Sequence, residues 1–179
     1  MMDFYEMTMS HGYFHGGYGD VRVAFDLFFR SVPDKGGYAV FAGLEHVIEF
    51  VENLAFSDAD IDYFRAQNLF SEEFLTFLRG FRFRGDIYAV PEGTIIYPDE
   101  PLMTIVAPII DAQLIETAVL AQINHQSLIA TKASRIVRAA EGRMVSDFGA
   151  RRAHNMDAAT YGARAAYIGG VDMTATVAA

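Results

Sequence analysis

Two adjacent arginines, Arg151 and Arg152, stand in the stretch "SDFGARRAHNMDAATYGARAAYIGG", residues 146–170, of a chain whose formal net charge is −9. A guanidinium is planar and always charged, so it grips carboxylates and phosphates through paired, charge-assisted hydrogen bonds. Because 23 acidic side chains face 14 basic ones, an anionic ligand has to be caught locally. Two consecutive arginines on a turn can address different partners. The competing reading is a solvated pair matched with Asp147 or Asp157, which would add little stability. A second group comprises Gly169, Gly170, Asp172 and Thr174. Glycine lets the backbone approach a ligand, and a carboxylate just beyond could hold ribose hydroxyls or a hydrated Mg²⁺. An Asp that only initiates a turn fits this position equally well.

The histidines offer less. His154 follows the arginines and reads as a surface or supporting group, although an imidazole titrates near neutrality and suits proton transfer. His125 reads as a hydrogen-bonded helix residue, and His11, His15 and His46 show no metal-ligand spacing. There is no cysteine, which excludes disulfides and thiolate metal sites.

These groups need a scaffold. With 179 residues, 52% apolar and 21% charged, the chain can bury a sizeable core as one large or two small domains. An acidic exterior repels nucleic acid and anionic membranes. No apolar run approaches the roughly 18 residues of a membrane span, and the acidic start at Asp3 is unlike a signal peptide. The expectation is a soluble cytoplasmic protein. "RVAFDLFF", residues 22–29, reads as a strand closed by Arg30 and Pro33. "GYAVFAGLEHVIEFVENL" carries helical spacing through Val40, Leu44, Val47, Ile48 and Val51, and residues 58–79 continue with Phe-rich helical patterns. Phe64, Phe70, Phe74 and Phe77 suit a core face. Residues 85–108 change to short runs between Pro and Gly stops, the pattern of a small antiparallel or mixed sheet.

One long helix is then predicted over residues 111–142, with Asp111 as N-cap, Gly142 as its stop, and Lys132, Arg135 and Arg138 in the closing turns that favour cations. After it, "MVSDFG" reads as a strand, "MDAATYGARAA" as a helix and "YIGGVDMTATVAA" as a second strand. This is one βα unit and the start of another. The predicted fold is α/β: an N-terminal α/β domain over 1–110, a linking helix over 111–142, and the first βα units of a barrel over 143–179. In such barrels the loops after the strands carry the chemistry, which is where "FGARR" and "GGVDMT" fall.

Four ordered segments, "DFYEMTMSHGYF", "GLEHVIEFV", "NHQSLIATKASRIVRAA" and "DFGARRAHNMDAATYGARAAYIGGVDMT", resemble the N-terminal part of the nicotinate phosphoribosyltransferases. The resemblance runs over essentially the whole chain. It implies an incomplete type II phosphoribosyltransferase fold, with an N-terminal domain packed on an irregular α/β barrel. It also implies transfer of a phosphoribosyl group from 5-phosphoribosyl 1-diphosphate to nicotinate, coupled to ATP, in a homodimer with shared sites. By the same resemblance Tyr5 stacks on the nicotinate ring, often from the neighbouring subunit, and Phe148 forms the other half of that sandwich. Arg151 and Arg152 would take the nicotinate carboxylate and donor phosphates. In the related nicotinamide-using enzymes an aspartate at the place of Asp172 contacts the pyridine base, and Thr174 belongs to the same candidate site. Asp3 is a weaker candidate, since an N-cap carboxylate looks identical.

The family's phosphorylated histidine belongs to a Gly-Thr-x-x-His segment expected beyond Ala179, as are the ATP and Mg²⁺ sites, so no catalytic residue is assigned. A non-catalytic subunit or fragment that only dimerises or binds ligand is the rival reading. A quinolinate relative would carry a Thr-Arg-Lys-Thr type signature where this chain has "DFGARR". A nicotinamide relative is not separated by one aspartate.

Overall fold

A computed structural model describes residues 1–32 and 35–178, so Pro33, read above as ending the first strand, lies outside the described residues. In chain order the elements are α1 (Phe4–His15), β1 (Arg22–Leu27), β2 (Ala39–Val40), α2 (Leu44–Asn53), α3 (Asp58–Ala66), α4 (Glu72–Arg79), β3 (Asp86–Ala89), β4 (Ile95–Ile96), β5 (Met103–Pro108), α5 (Ile109–Gln113), α6 (Glu116–Ala139), β6 (Ser146–Asp147), a 3₁₀ turn (Ala150–Arg152), α7 (Met156–Ile168) and β7 (Met173–Thr174). The strands form three sheets: β1-β5-β3, the antiparallel pair β2-β4, and the parallel pair β6-β7. This is the mixed α/β fold that the sequence predicts.

The chain packs into two compact units, each assembled from separated stretches. The first comprises Met1–Asp26, Val47–Tyr88 and Thr104–Val119. Its core is aromatic: Phe64, Phe74 and Phe81 are buried with Met7, Ile61, Leu75 and Leu78, and Phe14, Phe56, Phe70 and Phe77 pack around them. The Phe-rich helical patterns thus become core, as their spacing indicates. Ser57 and Ser71 cap α3 and α4 by accepting the amides of Asp60 and Phe74, satisfying donors that a helix start leaves unpaired.

The second unit comprises Leu27–His46, Ala89–Met103 and Leu120–Ala179, and its core is made of small residues. Ala42, Ala130 and Ala165 are buried with Val40, while Ala133, Ala166 and Val171 form an adjoining cluster. Small side chains let backbones come close, and here backbone groups are satisfied by hydroxyls of α6. Thr131 Oγ1 accepts the Val40 amide at 2.8 Å, and Ser127 Oγ accepts the Ala42 amide at 3.0 Å.

Several local expectations change. The single helix expected over 111–142 is two helices, α5 and α6, separated at Leu114 and Ile115. Asp111 is no N-cap: it is fully buried within α5, where its carboxylate accepts hydrogen bonds from Arg84 at 2.9 and 3.2 Å. A buried carboxylate requires such a partner, and periodicity cannot reveal it. Gly142, with φ +83°, lies three residues beyond the end of α6. The strand read over "MVSDFG" narrows to Ser146–Asp147. Tyr167 and Ile168, read as strand, finish α7 instead, and the strand begins at Met173.

Candidate functional site

The parallel register places Ser146 beside Met173 and Asp147 beside Thr174. The turn leaving β6 and the segment carrying β7 are thereby neighbours within the second unit. Phe148 begins the turn with its side chain 69% exposed. Asp147 Oδ1 accepts the Gly149 amide at 2.8 Å, and the 3₁₀ turn follows at once, closed by Arg152 N donating to Gly149 O at 2.8 Å. Arg151 and Arg152 are exposed, and among the described residues neither has a hydrogen-bond or ion-pair partner. The alternative in which Asp147 or Asp157 neutralises them is therefore not what the structure adopts.

The partner loop is more constrained. The Asp172 carboxylate accepts the Val145 amide at 2.8 Å, and the Asp172 amide donates back to Val145 O at 3.0 Å. Thr174 Oγ1 donates to Asp147 Oδ2 at 3.1 Å. Both residues, read as ligand contacts, cross-tie β6 to β7. The glycines before them serve packing. A side chain at Gly169 would meet Ala130 O at 2.4 Å, so α7 ends directly against the α6 backbone. Gly170 takes φ +98°, a conformation that side chains disfavour.

Asp3 and Tyr5 lie in the first unit. Asp3 holds the N-cap position of α1, and its carboxylate accepts the Thr117 hydroxyl at 3.0 Å. Tyr5 is 43% exposed, so an aromatic face is available. Its phenol is pushed up to about 12, first by partial burial and then by the Glu116 carboxylate, with Glu6 and Asp3 adding to the effect. Tyr5 therefore stays neutral at physiological pH. Glu6 is fully buried, and burial raises its carboxyl despite the amides of Asp3 and Thr117 that it accepts.

The sequence reading missed an ionic cluster in the second unit. Arg164 on α7 reaches both Glu92, at 2.7 and 3.0 Å, and Glu45. Glu92 Oε1 also accepts the amides of Gly43, a contact shorter than average at 2.5 Å, and of Leu44 at 3.0 Å. Burial alone would raise the Glu92 carboxyl, but Arg164 and the two amides outweigh it and lower it. No local signal pairs residues 92 and 164, which the fold alone joins. Arg135, read as closing the helix dipole, sits 5.8 Å over the Tyr38 ring. His46 packs its ring on Tyr161 at 4.1 Å and hydrogen-bonds Gln126. His125 is lowered by burial and then by His154.

Comparison with solved structures defines the class first. The chain superposes on human nicotinic acid phosphoribosyltransferase with a TM-score of 0.92 at 30% identity, covering 99% of this chain and 36% of that one. It superposes on a nicotinate-nucleotide pyrophosphorylase from Pyrococcus furiosus with a TM-score of 0.76 at 28% identity, covering 99% of this chain and 38% of that one. The fold is thus that of the N-terminal portion of a phosphoribosyltransferase. Residues 1–124 match the nicotinate phosphoribosyltransferase (NAPRTase) N-terminal domain, and the chain belongs to that family. It is 49% identical over 177 residues to a nicotinate phosphoribosyltransferase of Mycobacterium tuberculosis, and 46% identical over 177 residues to one of Bacillus subtilis. These alignments take in 99% of this chain but only 38% and 36% of the relatives.

Proposed function

We propose that this chain supplies the nicotinate-binding part of a nicotinate phosphoribosyltransferase, acting in NAD salvage. The observation that carries this reading is that Arg151 and Arg152, without partners among the described residues, stand beside an exposed Phe148 on a turn held against β7. An aromatic face suits a pyridine ring, and a guanidinium fork suits its carboxylate. Tyr5, contributed by the neighbouring subunit of a homodimer, would close the sandwich over Phe148. Attack by the pyridine nitrogen on the anomeric carbon of 5-phosphoribosyl 1-diphosphate then releases diphosphate. The chain's contribution is orientation: ring stacking fixes the nitrogen, and the arginines hold the opposite end of the base.

Asp172 and Thr174 act in this scheme by holding the loops, and Asp3 by fixing the start of α1. ATP and Mg²⁺ belong to the same proposal for the whole protein, as do a cytoplasmic location and the division at residues 110 and 142. Among the described residues no group of three or more His, Asp or Glu could hold a metal ion. Nor, among the described residues, is any helix long and apolar enough to cross a membrane.

Calorimetric titration of the 179-residue chain tests the reading. Nicotinate is expected to bind better than nicotinamide, and Arg151→Ala with Arg152→Ala to cost about 10- to 100-fold in affinity, the worth of charge-assisted hydrogen bonds. Equal affinity for acid and amide, or indifference to both substitutions, would remove the arginine fork from the site. Product formation measured with and without ATP separates a catalytic chain from one that only binds ligand.

A further inference from the structure

We infer that Asp147 is a positioning residue for the nicotinate site, its carboxylate holding the turn that carries Phe148, Arg151 and Arg152. The inference rests on the function proposed above. Three bonds converge on this residue. Oδ1 accepts the Gly149 amide at 2.8 Å, Oδ2 accepts the Thr174 hydroxyl at 3.1 Å, and the main-chain oxygen accepts the Ala175 amide at 2.9 Å. The first bond leads directly into the next, because Gly149 O accepts the Arg152 amide at 2.8 Å. One side chain therefore links the β7 segment to the backbone of the second arginine.

The far end of the turn is also held. Asn155 Oδ1 accepts the Ala158 amide at 2.8 Å and so caps α7. Between these two anchors stand Arg151 and Arg152, without polar partners among the described residues. Both Asp147 oxygens accept from neutral donors, and among the described residues neither arginine pairs with this carboxylate. A turn ordered before binding spares the ligand that entropic cost.

Gly149 supplies an independent geometric sign. Its φ of −78° and ψ of −11° are open to any residue, so conformation does not demand glycine there. Space is tight at one point: a Cβ would lie 2.9 Å from Asp147 Oδ1, the tip of a side chain that can swing aside. Gly149→Ala should therefore displace the Asp147 carboxylate without backbone strain.

The test pairs nicotinate titration with amide hydrogen exchange on the same chain. Asp147→Ala should speed exchange at Gly149, Arg152 and Ala175 and weaken nicotinate binding about tenfold, the cost of reordering a loop on binding. Asp147→Asn keeps an acceptor at Oδ1 and turns the other atom into a donor that Thr174 Oγ1 can accept, so both ties persist without the charge and affinity should stay within about threefold of the parent. Gly149→Ala should reproduce the alanine variant's signature even if that variant folds poorly. Unchanged exchange in both Asp147→Ala and Gly149→Ala overturns the inference whatever happens to binding. Faster exchange with undiminished affinity also overturns it, provided Arg151→Ala does lose affinity. A parent chain that binds no nicotinate overturns the functional reading instead, and exchange still reports whether Asp147 holds the turn.

Discussion

The two compact units reach stability by opposite means. In the first, ring packs on ring: Phe74 contacts His11, Phe14, Phe70 and Phe77, with centroids 5.1 to 6.1 Å apart. In the second, alanines and a glycine bring α6 and α7 into near backbone contact, and hydroxyls complete the polar groups of the β2 strand and the residues after it. An aromatic core tolerates no loss of volume; a small-residue core tolerates no gain. The candidate turn belongs to the second unit, and on it Phe148 and Arg151 are exposed.

The contrast is sharpest at Phe74, fully buried in the first unit. Phe74→Ala should cost about 3–5 kcal/mol, because the transfer energy is lost and the cavity cannot fully collapse. Denaturant unfolding would measure it, and a cost below about 1 kcal/mol would mean the rings repack. In the second unit the damaging change is an addition. Gly169→Ala drives a methyl to 2.4 Å from Ala130 O, a backbone atom that cannot swing aside, and should cost about 3 kcal/mol.

Thr131→Val keeps shape but leaves the buried Val40 amide without its acceptor. The expected loss is about 2 kcal/mol, read in the same unfolding experiment. A neutral outcome would show that another acceptor reaches this amide.

The smallest effect is one of pH. His11 Nε2 accepts the Ser71 amide, which requires an unprotonated nitrogen, and the imidazole is lowered from 6.5 by burial and then by neighbouring His15. The unfolded chain binds the extra proton more readily, so this contribution to stability falls as pH drops below about 6.5. His11→Gln offers an acceptor that does not titrate and should flatten that part of the stability profile. An unchanged slope would assign the acid sensitivity to another group, His125 being lowered in the same sense.

Much of the scaffold was legible because it rests on local rules. The Phe-rich runs gave the core faces, Ser57 and Ser71 precede helices as caps do, and the resemblance of four ordered segments named the family. The candidate turn was found through its residue types, Phe148 and the arginine pair. Asp147 was read only as a possible partner of the arginines, although an Asp two residues before a glycine is the pattern of a side chain bonding its own backbone turn. Asp172 and Thr174 were read as reaching for a ligand, and in the structure each also bonds the adjacent strand segment. The Asp111–Arg84 and Glu92–Arg164 pairs join positions 27 and 72 residues apart, beyond any local pattern.

By itself the sequence determined which residues carry charge, which faces are apolar and which segments turn, since these follow from side-chain chemistry and from spacings of a few residues. Only the tertiary structure decided which charges remain unpaired. Whether an arginine is satisfied depends on where distant carboxylates come to rest, and folding engaged Glu92 with Arg164 and Asp147 with Thr174 while leaving Arg151 and Arg152 without a partner among the described residues.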